Sequence, residues 1–258
     1  MTGAGLLLTQ FGPQAVLATF LLFCRIGACL MVIPGFSSDR IAVRIRLLVA
    51  VAATLALAPL LLPVMSEALP DMSLATTVRF IVAELFVGLL IGLLGRAFMA
   101  ALETIGTLVA MAIGMSNIPG VAIDGADALP PLASLMTLTA TALIFISGHH
   151  WEVFRGLAAS YETLPPGGAI SLRSGLEQFT EQLATTFVLA LRIGSPFIVY
   201  SVVVNFAIGL TNKLTPQIPV YFIAMPFVIA GGLYFLFVAV VEAMTVFLDG
   251  YVTWLKFG

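Results

Sequence analysis

Charge is scarce in this sequence. Only 9% of its 258 residues are Asp, Glu, Lys or Arg, against about 25% in an ordinary soluble domain. Hydrophobic residues make up 60% and the mean hydropathy is +1.12, so the chain is read as an integral membrane protein. The net charge of −2 gives no basic surface for nucleic acid. The first charged residue is Arg25, so no basic region precedes an apolar signal core, and the N-terminus is expected to be retained. Cysteine is nearly absent: Cys24 and Cys29 lie five helical steps apart, about 140° around the axis, and are expected to be free thiols. The two histidines are adjacent, His149-His150, and point about 100° apart on a helix. No further histidine or spaced cysteine pair completes a metal site, and with Trp151 and Glu152 they read as interfacial polar and aromatic residues. No GxSxG, HExxH or P-loop spacing occurs, so enzyme activity and a nucleotide cofactor are not expected.

What the chain does have is long apolar runs: Ala15 to Pro34, Leu47 to Pro63, Phe80 to Leu102, Leu129 to Gly148, Leu183 to Asn212 and Leu214 to Val241. Each is near or above the ~20 residues that a helix needs to cross the hydrocarbon core, which predicts an all-α protein of about six spans. Arg40, Arg44 and Arg46 follow the first run and Lys213 separates the last two. The positive-inside rule puts these on the cytoplasmic side, with the N-terminus, Pro63 to Thr77 and the His149 to Glu181 connection external.

Several charges lie within or beside the apolar runs: Arg25, Glu84, Arg96, Arg192 and Glu242. An ionised group there costs roughly 2.5–3.5 kcal/mol unless it pairs, snorkels or faces water, so some of them need polar partners. Glu84 and Arg96 are about 18 Å apart along one helix and cannot be each other's partner. Gly88, Gly92 and Gly95 beside them form a small-residue face suited to close helix packing. Arg25-Ile26-Gly27 recurs as Arg192-Ile193-Gly194, too short an echo to establish a repeat.

The middle of the chain, Glu103 to Asp127, is apolar yet interrupted by Gly106, Gly114, Pro119, Gly120 and Gly125, residues that weaken a single long helix. It is expected to be re-entrant or to face a lumen, since irregular backbone at membrane depth is tolerated where protein or water surrounds it; a short helix and loop without a transport role is the alternative. Met111 and Met115, four apart beside Gly114, are expected to share a helical face and to offer either deformable packing around an opening or ordinary core. Asn205, Asn212, Lys213 and Gln217 gather around Pro216 and Pro219, which suits either a turn between helices or a polar strip shared with another subunit.

The run Asn212-Lys213-Leu214-Thr215-Pro216-Gln217-Ile218-Pro219-Val220-Tyr221-Phe222-Ile223-Ala224-Met225-Pro226 resembles the FliR family of flagellar type III export-gate proteins, whose injectisome counterparts are called SctT. Further matches fall in order: Arg25 with Pro34, Arg44 and Arg46, Glu84 with Gly88 and Gly92, Gly106 with Gly114-Met115-Ser116, Phe145 with Gly148-His149, and Leu164-Pro165 with Gly167-Gly168. Lys213 stands where the family often has arginine, losing the planar fork. Ala112-Ile113 stand where a glutamine is common, and Gly125 stands where proline is expected after Asp124.

The resemblance implies a helical export gate built with FliP and FliQ and associated with FlhB and FlhA, in the inner membrane at the flagellar basal body. It implies an N-terminal part, 1–182, resembling FliP and a C-terminal hairpin, 183–258, resembling FliQ, with apolar helices packed on other subunits. Arg25, Glu84, Gly88, Gly92, Arg96, Arg192, Asn212, Lys213, Pro216, Gln217 and Pro226 then make packing or polar contacts. A plug drawn from about Gly106 to Ala122, including Met111, Gly114, Met115, Ser116, Pro119 and Gly120, closes the lumen to ions until unfolded flagellar subunits pass. An injectisome gate subunit and a small-solute secondary transporter are the competing readings.

Overall fold

The structure is a computed structural model that describes residues 12–37, 41–69, 73–115, 130–167 and 172–257. Among them the chain forms seven α-helices: α1 (Pro13–Val32), α2 (Val43–Ala68), α3 (Leu74–Ala112), α4 (Pro131–Ile146), α5 (His150–Thr163), α6 (Leu172–Leu214) and α7 (Val220–Phe257). No strand occurs among the described residues, and the protein is an all-α membrane protein. Five helices, α1, α2, α3, α6 and α7, are long and apolar enough to cross a membrane, and α4 with α5 makes a sixth only if the two are counted together across a break. The fourth apolar run therefore differs from the expectation. α4 has 16 residues, about 24 Å, which falls short of the hydrocarbon core by itself.

Local chemistry explains the helix ends. α1 and α4 each begin with a proline in the first turn, where the missing N–H has no helical partner to lose. α1 stops at Ile33, extended ahead of Pro34, as residues before proline prefer. α4 stops at Gly148, whose φ of +76° suits glycine alone at no steric cost. The connection from His149 to Glu181 is not a plain loop: it holds α5 and the start of α6. α5 puts Val153, Leu157, Ser160 and Tyr161 on its buried side at helical spacing.

The helices form two compact units, each interleaved in sequence. The first takes the chain up to Arg96 together with His149–Gln182, and the second takes Ala97–Gly148 together with the chain from Leu183. In the first unit, Ala18, Leu21 and Leu22 of α1 pack with Ala58, Leu61 and Met65 of α2, Phe80 of α3 and Tyr161 of α5. In the second, Phe98 of α3 meets Tyr251 and Trp254 of α7 at ring-centroid distances of 5.8 and 5.3 Å. Phe197 of α6 meets Phe235 of α7 edge-on at 5.0 Å. Much of the α6–α7 surface stays apolar and uncovered, with Phe206, Phe222, Phe227, Tyr234 and Phe237 all more than 70% exposed. In water such a face marks an interaction surface; here lipid or other subunits can cover it.

Candidate functional site

The first unit has a charged centre. Arg25 on α1 and Glu84 on α3 are fully buried and joined side by side: Arg25 Nε donates to Glu84 Oε2 at 2.7 Å, and Nη2 donates to Oε1 at 3.0 Å. Nη2 also donates to the Leu164 carbonyl at 3.0 Å, and Nη1 donates to the Ser160 hydroxyl at 3.1 Å and the Ser160 carbonyl at 3.3 Å. These acceptors engage every N–H of the guanidinium. The Ser160 and Leu164 carbonyls lie at the C-terminal end of α5; the Ser160 carbonyl also accepts from the Leu164 N–H at 2.9 Å, and Arg25 adds donors where helical carbonyls run short of them, so it caps that helix while it neutralises Glu84. The Tyr161 hydroxyl donates to Glu84 Oε2 at 3.2 Å, and the guanidinium carbon lies 3.8 Å from the centre of the Tyr161 ring, a cation–π contact.

Close helix approach makes this centre possible. A Cβ built on Gly88 meets the Arg25 carbonyl oxygen at 2.1 Å; one on Gly92 meets Val32 at 2.9 Å and the Cys29 carbonyl at 3.0 Å; one on Gly95 meets Ile33 at 3.0 Å. The glycine face therefore lets the α3 backbone lie directly against α1, one turn from Glu84. Cys24 and Cys29 are buried free thiols. The sequence singled out Arg25 and Glu84 but not their pairing, and it missed Ser160, Tyr161 and the Leu164 carbonyl because α5 was read as a connection. The spacing of Val153, Leu157 and Tyr161 was the available signal.

In the second unit, two expectations for the central segment are corrected. Gly106 does not interrupt a helix: α3 runs unbroken through it to Ala112. A Cβ there meets the Ala133 Cα at 2.6 Å, so tertiary contact with α4 outweighs the ~1 kcal/mol propensity cost of glycine. Met111 and Met115 do not share a helical face, because α3 closes between them. Gly114 has φ +81°; its N–H donates to the Met111 carbonyl at 3.1 Å and the Met115 N–H to the Ala110 carbonyl at 2.7 Å, the paired bonds of a Schellman cap. Met111 is exposed and Met115 half-buried. Ile113 is held by α7, where a Cβ on Gly232 meets its Cγ2 at 2.4 Å. Ser116, Pro119 and Gly120 lie outside the described residues, as does the rest of the expected re-entrant stretch.

The other singled-out residues are dispersed. Arg96 is exposed on α3 and Arg192 on α6, so the Arg-Ile-Gly echo covers a buried arginine and an exposed one. Asn212 and Lys213 lie in the last turn of α6, Pro216 and Gln217 in the turn to α7, and Pro226 inside α7, all exposed. That turn is closed by the Thr215 N–H on the Thr211 carbonyl at 2.9 Å and the Ile218 N–H on the Thr215 carbonyl at 3.1 Å. Among the described residues no cluster of three or more His, Cys, Asp or Glu could hold a metal ion. The arrangement offers packing, charge burial and uncovered apolar surface.

Residues 16–252 match the sequence profile of the family described as "Bacterial export proteins, family 1". The chain is similar to the flagellar biosynthetic protein FliR of Caulobacter vibrioides, 27% identical over 231 residues, which is 90% of this chain and 91% of that protein. It is 26% identical over 212 residues to the FliR of Escherichia coli K12, covering 81% and 78% of the two chains. With the FliR of Aquifex aeolicus it shares 27% identity over 224 residues, covering 85% and 84%.

Proposed function

This chain belongs to the family of bacterial export proteins, family 1, the FliR family, and on that premise we propose that it helps form and seal the channel through which unfolded flagellar proteins cross the inner membrane. The carrying observation is the family match along residues 16–252, and the relatives reported above are all named as flagellar biosynthetic proteins, which favours a flagellar gate over an injectisome one. The proposed partners are FliP and FliQ in a common helical assembly, with FlhB and FlhA beside it at the basal body. In this reading residues 1–182 correspond to FliP and 183–258 to FliQ, and the protein works as a structural gate subunit without catalysis.

The uncovered apolar surface of α6 and α7 supports an assembled state, because such surface is stable only against lipid or other subunits. The Schellman cap at Gly114 supports a seal that begins after the cap. Gly106 and Met111 then belong to the packed helix that anchors it, and Met115, Ser116, Pro119 and Gly120 to the part that closes the lumen. Deleting 116–122 from the chromosomal copy tests this. Passage of ions through the envelope and slowed growth are expected, with α3 packing spared; cells that stay tight to ions and fully motile overturn the seal. Native mass spectrometry of the tagged chain expressed with FliP and FliQ tests the assembly, and a chain that emerges alone while FliP and FliQ assemble without it overturns the subunit reading.

A further inference from the structure

α7 runs unbroken through Pro226, Gly231 and Gly232, three residues that each disfavour the interior of a helix. Contact accounts for the two glycines. A Cβ on Gly231 meets the Tyr200 hydroxyl at 3.0 Å, and that hydroxyl donates to the Val228 carbonyl of α7 at 2.7 Å. A Cβ on Gly232 falls 2.5 Å from the Ile113 Cβ and 3.3 Å from its Cα. One glycine thus admits α6, and the next admits the residue that follows α3. Gly232 is buried and Ile113 has no exposed surface, so the isoleucine fills the notch that the missing side chain leaves in α7.

The grip ends at Ile113. One residue further on, a Cβ at Gly114 has only Ile229 within 4 Å, at 3.7 Å, and Met115 is half-buried. The chain passes from a fully packed residue to a loosely surrounded one where α3 gives way to its left-handed cap. The cap bonds, from the Gly114 N–H to the Met111 carbonyl and from the Met115 N–H to the Ala110 carbonyl, tie the direction of the departing chain to the last turn of α3. Whatever fixes Ile113 therefore fixes where the following residues start and which way they leave.

We propose that the Gly232 notch of α7 is the seat that positions the seal, with Ile113 as the side chain that occupies it. The inference rests on the reading of 116–122 as the seal and adds the element that aims it, the C-terminal hairpin. Ile113 and Gly232 are positioning residues. A close-packed interior passes a displacement on instead of absorbing it, so a notch that is filled, or left empty, shifts the start of the sealing segment. Ions then pass although the helices stay packed.

The test measures passive ion flux in cells that carry each variant on the chromosome, beside the amount of the chain in their membranes. Gly232→Ala, whose methyl collides with Ile113, is expected to raise the flux severalfold. Gly231→Ala adds the same methyl one residue away, against the end of the Tyr200 side chain, and is expected to stay as tight as the parent. Ile113→Gly cannot collide and empties the seat, so it is expected to leak as well. Combined in one chain, Ile113→Gly and Gly232→Ala exchange the two sizes, leave the new Cβ 3.3 Å from the Cα of residue 113, and are expected to leak less than Ile113→Gly alone. That rescue separates a seat from mere loosening by the glycine, which the double variant retains, and it decides the matter even where Gly232→Ala by itself does not accumulate. A double variant that leaks as much as Ile113→Gly, a leak of equal size in Gly231→Ala, or single variants at Ile113 and Gly232 that are both tight at normal levels of the chain overturns the seat. Deletion of 116–122 in the same assay tells the two readings apart: a tight deletion removes the seal and the seat with it, whereas a leaky deletion beside tight Ile113 and Gly232 variants removes the seat alone.

Discussion

Arg25 and Glu84, on different helices and 59 positions apart in the chain, meet as a two-pronged ion pair at 2.7 and 3.0 Å in the interior of the first unit. Both are buried, so each depends on the other and on the α5 groups around them. Removing one member of a buried pair typically costs about 3–5 kcal/mol, because the remaining charge is stranded, whereas replacing both with apolar residues is often neutral. Glu84→Gln is therefore expected to lower the amount of folded protein in membranes and its melting temperature sharply. Arg25→Met with Glu84→Leu is expected to recover most of that loss. A thermal-shift series on the two single variants and the double variant measures the coupling.

Gly88 and Gly27 provide a matched pair of glycines. An added Cβ at Gly88 lands 2.1 Å from the Arg25 carbonyl, a backbone atom that cannot step aside, and at Gly27 it meets only the Phe23 ring at 3.7 Å. Gly88→Ala is expected to force α1 and α3 apart and to cost about 1–3 kcal/mol. Gly27→Ala is expected to be neutral or slightly stabilising, since alanine favours helix by about 1 kcal/mol. Melting temperatures of the two variants, compared in the same detergent, check the contrast.

Gly114 is held by conformation. Its φ of +81° lies where a Cβ costs roughly 1–2 kcal/mol, and a Cβ there has only Ile229 nearby, at 3.7 Å, so space is not the issue. Gly114→Ala is expected to loosen the end of α3 and raise ion leak through the envelope. Gly114→Asn is expected to be milder, because asparagine tolerates the left-handed region. Conductance or growth on salt, with the alanine and asparagine variants side by side, separates a backbone effect from a change of side chain.

Hydropathy made the long helices legible, because α1, α2, α3, α6 and α7 are apolar along most of their length. It did not reveal α5: His149, His150, Glu152 and Arg155 hide a helix whose apolar side shows only every third or fourth residue. Arg25 and Glu84 stood out as charges at apolar depth, and the glycines beside Glu84 pointed to a close neighbour. That the neighbour is α1 depends on tertiary arrangement, which no local spacing encodes. Gly106 was misread for the same reason. Glycine weakens an isolated helix, but against Ala133 it is the residue that lets two helices touch. Met115 was misplaced because Gly114 could as easily have continued the helix as ended it.

Gly209 tests whether the α6–α7 surface meets other subunits. It lies on α6 with nothing within 4 Å of an added Cβ, between the exposed Phe206 and Leu210, and a small residue on an apolar helix is the usual mark of close backbone approach by a neighbour. Within the chain alone, Gly209→Leu removes no contact and gains helix propensity, up to about 1 kcal/mol, so the purified chain is expected to melt no lower than the parent. If α6 packs on a partner there, the added side chain wedges the two apart. Less complex is then recovered with FliP and FliQ although the chain itself is intact. Co-purification yield and melting temperature, measured on the same preparations, are expected to move in opposite directions; a variant that assembles at full yield places the partner surface elsewhere on the hairpin.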